Sequence, residues 1–194
     1  MRLLVGISGS TGSIYGIRLL QALGRVPNLE THLIMSAPAK RTIVEETEFS
    51  VKEVEKLAAR VYDNRDIGAA PASGSFKTFG MVIMPCSIKT ASALATSTGD
   101  SLLCRAGDVT LKEGRPLIVG VREAPLHLGH LRQLTTLAEL GAIIFPPVPA
   151  FYHRPKTLDD IVNHTVGRIL DRLGIPQELV REWAGTQMPP PPTP

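Results

Sequence analysis

No block of Lys or Arg stands out in this chain, and the net charge is only +3 over 194 residues. Binding to a nucleic-acid backbone needs a basic stripe or patch, so no nucleic-acid partner is expected. No apolar run is long enough to span a bilayer, and the amino terminus lacks a signal-peptide pattern because charge resumes at Arg18. These two absences predict a cytoplasmic protein without a membrane partner. Only two cysteines occur, Cys86 and Cys104, with no C-x-x-C pair, and both are expected to stay thiols in a reducing cytosol.

Several catalytic signatures are missing too. His127 and His130 are three apart, but no further ligand follows at a metal-binding spacing, and His153 and His164 are scattered, so no metal site is expected. Ser8 has Gly6 before it but Ser10 after it, and Ser73 lies between Pro71 and Ser75, so neither completes G-x-S-x-G. Cys86 has no base beside it and reads as a small buried thiol.

What is present is a globular composition, 43% hydrophobic and 20% charged, with length enough for one sizeable core. There is no internal repeat and no domain boundary. A single domain over residues 1–185 is predicted, with the Pro-rich residues 186–194 as a disordered tail.

The most informative stretch is RLLVGISGSTGSIYG, Arg2 to Gly16. Leu3 to Ile7 are apolar or glycine and too few for a helix, which predicts a buried parallel strand. Ser8 to Gly12 are small and rich in hydroxyls. A helical spacing of apolar residues begins directly after, over Ser13–Leu23. A strand, a small-residue turn and a helix start form an anion site: glycines let the backbone approach, and N–H groups at the helix start are unpaired. Gly6, Gly9 and Gly12 are three apart, which matches neither G-x-G-x-x-G nor a Walker loop. The second strand, Thr31 to Met35, ends at Ser36 with no acid to hold a ribose. A mononucleotide phosphate, as in FMN, fits better than NAD.

Strand-like and helix-like segments then alternate, which predicts an α/β parallel sheet. Helical patterns run over Ala39–Thr47 and Val51–Ala59, followed by a short strand at Val61–Tyr62. Ile67 to Gly80 lacks either pattern. Strand Met81–Met84 leads into Pro85-Cys86-Ser87-Ile88-Lys89-Thr90, a second small-residue turn before a helix. Such turns after the first and fourth strands would be neighbours at a topological switch point. A helix over Leu102–Lys112 carries Arg105, Asp108 and Lys112. Strand Pro116–Val121 ends in Arg122-Glu123. Helix Leu128–Leu140, strand Ala142–Phe145 and helix Asp159–Leu173 follow, with Arg168 in the last. Pro176–Trp183 is expected to add a short helix carrying the only Trp. Arg122 follows a buried strand, and Arg168 and Lys112 are expected on helices facing the same end. Such cations bind phosphate, Arg as a fork and Lys as a point charge, and Tyr152 adds a hydroxyl.

Read together, GISGSTGSIYG, HLIMS, PASGSFKT, VIMPCSIKT, LLCRAGDVTLKEGRPL, VREAPLHLGHL, PPVPAFYHRP and VGRILDRLGI make the chain closely resemble the flavin prenyltransferases of the UbiX type across Arg2 to Trp183. The resemblance implies a three-layer Rossmann-like fold with a six-stranded parallel sheet in order 321456. It implies FMN as cofactor, dimethylallyl phosphate as co-substrate, and prenylated FMN, joined at N5 and C6, as the product. A UbiD-type decarboxylase would receive that product. The family assembles as a homododecamer with sites at subunit interfaces. By the same resemblance, Gly9, Ser10, Thr11, Ser36, Ser87, Ile88, Lys89, Thr90 and Arg122 would contact FMN. Arg105, Lys112, Arg122, Tyr152 and Arg168 would hold the dimethylallyl phosphate. Thr11, Glu46, Glu123 and Trp183 would line the reaction site, with Thr11 standing where some members carry Ser. The implied chemistry neutralises a leaving phosphate with cationic side chains and a tyrosine. An aromatic face would stabilise allylic cation character.

Two other readings compete. One is an FMN-dependent decarboxylase of the cysteine-decarboxylase group. Those enzymes use a His in the second helical region, whereas Thr42 to Glu46 has none, and an Asn-containing loop where this chain has PCSIKT. The other is an FMN-binding accessory subunit, which leaves the Arg, Lys and Tyr residues unexplained.

Overall fold

The computed structural model describes residues 1–180, 182 and 185. Trp183 and residues 186–194, the expected tail, lie outside the described residues.

Six strands form one sheet: β1 (Arg2–Ile7), β2 (Glu30–Met35), β3 (Arg60–Asp63), β4 (Gly80–Cys86), β5 (Leu117–Val121) and β6 (Ile143–Ile144). Their order is β3-β2-β1-β4-β5-β6, and every pairing is parallel. The fold is the expected 321456 sheet. Among the described residues six α-helices lie between strands, α1 (Ser13–Leu23), α2 (Ala37–Glu46), α3 (Val51–Lys56), α4 (Ile88–Ala95), α5 (Leu102–Lys112) and α6 (Leu128–Glu139), and α7 (Leu158–Arg172) follows β6. No helix among the described residues is long and apolar enough to cross a membrane.

Side chains alternate across a strand, so β1 feeds both layers of the core. Leu3, Val5 and Ile7 join Ile17, Leu20, Ile43, Val166 and Ile169 beneath α1, α2 and α7. Leu4 turns the other way, toward Met81, Ile83, Leu94, Leu102 and Leu137 beneath α4, α5 and α6. Burial on both faces is why β1 and β4 read as continuous apolar runs rather than alternating ones.

Most element bounds differ from expectation by one to three residues, and three segments show why. β3 is longer than Val61–Tyr62 because its backbone pairs with β2 from Arg60 to Asp63. Ile67–Gly80 contains a single 3-10 turn at Ala70–Ala72 and is pinned by Arg115, whose guanidinium donates to the carbonyls of Gly74 (2.7 Å) and Phe76 (2.9 Å). Residues 176–180 form no helix. The Gln177 side chain accepts from the Val180 N–H (2.8 Å) and donates to the Val180 carbonyl (3.0 Å), replacing the bonds a helix would make.

Candidate active site

The three turns that leave β1, β2 and β4 meet at the carboxyl edge of the sheet. Connections diverge between β1 and β4 there, which is the switch point where open α/β sheets bind ligands. Ser8 braces the junction. Its hydroxyl donates to the Pro85 carbonyl (3.2 Å) and accepts from the Ser87 N–H (2.6 Å), and its own N–H donates to Pro85 (3.1 Å). Ser36 caps α2, accepting from the Ala39 N–H (3.1 Å). Ser87 caps α4, accepting from the Thr90 N–H (3.3 Å), with the two hydroxyls 3.1 Å apart. Gly9 passes against the second residue of α2: a Cβ there would lie 2.2 Å from Pro38 Cβ.

Between these turns lies a cleft of about 860 Å3 lined by Gly9, Ser36, Pro38, Ser87, Lys89 and Thr90, and also by Thr96, residues 98–101, Cys104 and Gln133. Gln133 on α6 accepts from Ser92 on α4. The Ser10 hydroxyl is buried and has no partner among the described residues. Ile88 begins α4 at the same turn. Cys86 is fully buried, and burial pushes its thiol pKa up, in keeping with an inert core thiol.

The start of α1 is not open in the way the spacing predicts. Gly12, with φ 93°, has no side-chain cap of its own. Glu46, at the end of α2, supplies one from across the turn. Its carboxylate accepts from the Gly12 N–H (2.8 Å), the Ser13 N–H (3.3 Å) and the Ser13 hydroxyl (3.2 Å), and Thr11 also donates to it. Partial burial pushes the Glu46 pKa up, but these donors outweigh it and hold the pKa below the ordinary glutamate value. The helix-start anion site of α1 is thus filled by the protein's own carboxylate, and the helix starts that line the cleft are those of α2 and α4, each with a serine cap. A depressed carboxyl pKa contributes stability above the unfolded-state value, and that contribution is lost as pH falls through the folded value. Glu46→Gln is expected to lower stability by about 1 kcal/mol at neutral pH, within the range for losing a helix cap. Urea unfolding at neutral pH and at acid pH checks this: the difference from the parent shrinks as Glu46 becomes protonated.

Arg122 and Glu123 follow β5 on the same edge. The Arg122 N–H donates to the Cys86 carbonyl (3.0 Å), which ties this turn to that of β4. The Arg122 side chain is exposed, with no partner among the described residues. Glu123 accepts from the N–H of Ala124 (3.1 Å). His127 caps α6, accepting at Nδ1 from the N–H groups of Gly129 (3.0 Å) and His130 (3.3 Å).

Tyr152 and Arg168 belong to a second region. Tyr152 lines a hollow of about 390 Å3 with His153, Arg154, Lys156, Asn163 and His164. Its hydroxyl lies 2.8 Å from His164 Nε2. Arg168 stands one helical turn beyond His164 and pairs with Asp171 (3.0 Å). On α5, Arg105 is exposed and pairs with Asp108 (2.9 Å).

Lys112 does not face the same end as the cleft within one chain. α5 runs antiparallel to the strands, so its last residue reaches their amino edge, about 16 Å below its first turn. There Lys112 pairs with Glu113 (2.6 Å), and its Nζ is 3.0 Å from the Cβ position of Gly74. One chain therefore joins Gly9, Ser10, Thr11, Ser36, Glu46, Ser87, Ile88, Lys89, Thr90 and Arg122 along one edge. It leaves Lys112 apart from them and puts Tyr152 on a separate hollow. Trp183 lies outside the described residues. Sequence reading missed the brace at Ser8, the contribution of residues 96–101, and His164. Ser8 carried one signal, a hydroxyl at the end of a buried strand.

The Flavoprotein family model matches residues 1–170. The chain is 59% identical over 186 residues to flavin prenyltransferase UbiX of Escherichia coli K12, covering 95% of this chain and 98% of that protein. In three dimensions it is similar to a dodecameric FMN-dependent UbiX-like decarboxylase from Escherichia coli O157:H7, with TM-score 0.93 and 46% identity over 95% of this chain and 100% of that one. It is also similar to AnUbiX (PadA1) in complex with FMN and dimethylallyl pyrophosphate, with TM-score 0.93 and 41% identity over 96% and 98% of the two chains.

Proposed function

The chain belongs to the Flavoprotein family and, within it, to the UbiX flavin prenyltransferases, and from that membership we propose that it joins the dimethylallyl group of dimethylallyl phosphate to N5 and C6 of reduced FMN. Phosphate is released, and the prenylated FMN passes to a UbiD-type decarboxylase. The observation that carries this reading is the cleft at the β1/β4 switch point, with the starts of α2 and α4 at its wall.

The residues fit FMN. The cleft volume, about 860 Å3, lies in the range of small-molecule sites. Ser10 offers a buried hydroxyl without a partner among the described residues. Ser36, Ser87 and Thr90 add hydroxyls at helix starts, where the dipole favours a phosphate. Pro38 and Ala93 give the same wall apolar patches for a flat ring. When bound and reduced, FMN supplies the nucleophilic nitrogen.

The chain's own side chains deal with the leaving group. Arg122, Arg168, Lys112, Arg105 and the Tyr152 hydroxyl neutralise the phosphate as its bond to carbon breaks. The charged form of Glu46, held by four donors of which Thr11 is one, keeps a carboxylate near the reacting edge for proton movement, with Glu123 as a second acceptor. The aromatic face of Trp183 stabilises positive charge on the allyl unit. The separation of Lys112 and Tyr152 from the cleft supports a site completed by neighbouring copies. The dodecameric Escherichia coli O157:H7 structure supports a homododecamer here.

The test is to incubate the protein with reduced FMN and dimethylallyl phosphate and weigh the bound flavin. A gain of one five-carbon unit is expected. An unchanged mass would sink the transferase reading. Carbon dioxide released from an aromatic or peptidyl acid by this protein alone would favour a decarboxylase.

A further inference from the structure

No acid follows β2, which ends at Met35 with Ser36 after it, yet the cleft does contain one. Asp100, from the segment between α4 and α5, lines it together with Asn64, the residue after β3. The Asp100 carboxylate has no hydrogen-bond or ion-pair partner among the described residues. Lys89, in the first turn of α4, lines the same cleft and also lacks an ion pair among the described residues. Both charges lie near Cys104: burial raises its thiol pKa, Asp100 adds to that, and Ser101 and Lys89 oppose it. Opposite charges that share a cleft without pairing suit a ligand with an anionic part for the cation and hydroxyl hydrogens for the carboxylate.

Asn64 fixes where Asp100 enters. Its backbone carbonyl accepts from the Leu102 N–H (2.8 Å), and its side-chain Oδ1 accepts from the Leu103 N–H (2.9 Å). A backbone N–H can only donate, so the amide oxygen is the atom that meets it. Ser101 caps the same turn, accepting from the Cys104 N–H (3.5 Å). Gly99 packs so closely on this turn that a Cβ there would collide with Cys104. The first N–H groups of α5 are thus satisfied by the protein itself, and this helix start is closed to a phosphate. The starts of α2 and α4, with Lys89, favour the phosphate. Beside α5 the cleft offers a carboxylate instead, which repels phosphate and accepts from neutral hydroxyls.

Resting on the reading that this cleft holds FMN, we infer that Asp100 accepts hydrogen bonds from the ribityl hydroxyls of FMN and so selects a polyol tail, with Asn64 as the residue that positions it. The acid that holds the sugar chain then comes from the α4–α5 segment rather than from the end of β2.

The experiment titrates the full chain with oxidised FMN and with a phosphopentyl flavin, which has the same ring and phosphate but hydrogens in place of the ribityl hydroxyls. Flavin fluorescence reports binding of each to the parent and to Asp100→Ala, Asp100→Asn, Asn64→Ala and Asn64→Asp. The parent is expected to prefer FMN, because a site built to bond hydroxyls rejects a ligand without them. Asp100→Ala should weaken FMN about tenfold, the scale of one hydrogen bond to a charged group. It should leave the phosphopentyl flavin unchanged or tighter, since a charge that repels phosphate has gone. Asp100→Asn keeps an acceptor oxygen without the charge and should fall between. Asn64→Ala should lower the preference for FMN about threefold or more, as the start of α5 loses a cap. Asn64→Asp keeps an acceptor for the Leu103 N–H and should restore that preference. Each comparison is a ratio of two ligands on one protein, so a general loss of stability does not mimic the effect. If Asn64→Ala does not fold, the Asp100 variants decide. The inference is overturned if Asp100→Ala weakens both flavins alike, tightens both alike or changes neither, or if the parent binds both equally. The positioning role of Asn64 is overturned if Asn64→Ala keeps the parent's preference or if Asn64→Asp does not restore it. A parent that binds neither flavin overturns the reading of the cleft beneath it.

Discussion

Replacing Arg168 by Ala is expected to lower prenyl transfer by about 100- to 1,000-fold or more, the scale for removing one preorganised donor from developing negative charge. The fold should not notice. Arg168 is exposed, and its pairing with Asp171 is a surface i,i+3 contact of a kind worth about 0–1 kcal/mol. Arg122→Ala should be as damaging and should also weaken FMN binding, since Arg122 follows β5 on the cleft edge. The backbone bond from Arg122 to Cys86 does not depend on the side chain and survives the change. Arg168→Lys keeps the charge and loses the planar fork, so partial activity is expected. Bound-flavin mass and single-turnover rates, alongside thermal unfolding, measure these effects. Normal prenylation in both alanine variants would end the argument for a cationic phosphate cradle.

Gly9→Ala is expected to cost at least about tenfold in FMN affinity, equivalent to about 1.4 kcal/mol. It should also destabilise the apoprotein by about 1–3 kcal/mol, as overpacking does. The added methyl would sit 2.2 Å from Pro38 Cβ and 3.3 Å from the Pro38 backbone. Pro38 cannot rotate away, because its ring is fixed within the first turn of α2. The β1–α1 turn must then move off α2, which opens the wall of the cleft. Gly24→Ala is the control. Gly24 has φ −63°, and its nearest neighbour to a new Cβ is at 3.4 Å, so stability should change little. Flavin fluorescence titration and thermal melts compare the two variants. FMN binding unchanged in Gly9→Ala would show that the close approach to Pro38 does not shape the site.

Much of the architecture could be read directly from the chain. Leu3 to Ile7 and Met81 to Met84 are continuous apolar runs, and such runs are strands buried on both faces. Ser87 stands at the head of a helical pattern and Ser36 three residues before the one expected at Ala39–Thr47, and both prove to be caps. The small-residue turns after β1 and β4 pointed to one switch point, and the sheet order brings them together. The alternation of strand and helix carried the parallel α/β class, because parallel strands require long crossover connections, and the resemblance to the UbiX type supplied the strand order.

Other features depend on residues far apart in the chain. The Glu46 carboxylate reaches Gly12 across 34 positions, and Ser8 reaches Ser87 across 79. Neither spacing leaves a local signal, since the contact exists only once α2 packs on α1 and β1 pairs with β4. The direction of α5 carries Lys112 to the far edge of the sheet, a consequence of helix length and strand polarity rather than of residue type. His164 looked like one scattered histidine until the loop after β6 folded back to bring Tyr152 within 2.8 Å of it. By itself the sequence determined the alternation of strands and helices and the two small-residue turns, because periodicity and turn chemistry are local properties of the chain, while the layers and the sheet order followed from its resemblance to the UbiX type. Tertiary structure alone decided which helix starts face the cleft, which cations one chain can gather, and that Tyr152 meets His164, because each rests on contacts between distant segments.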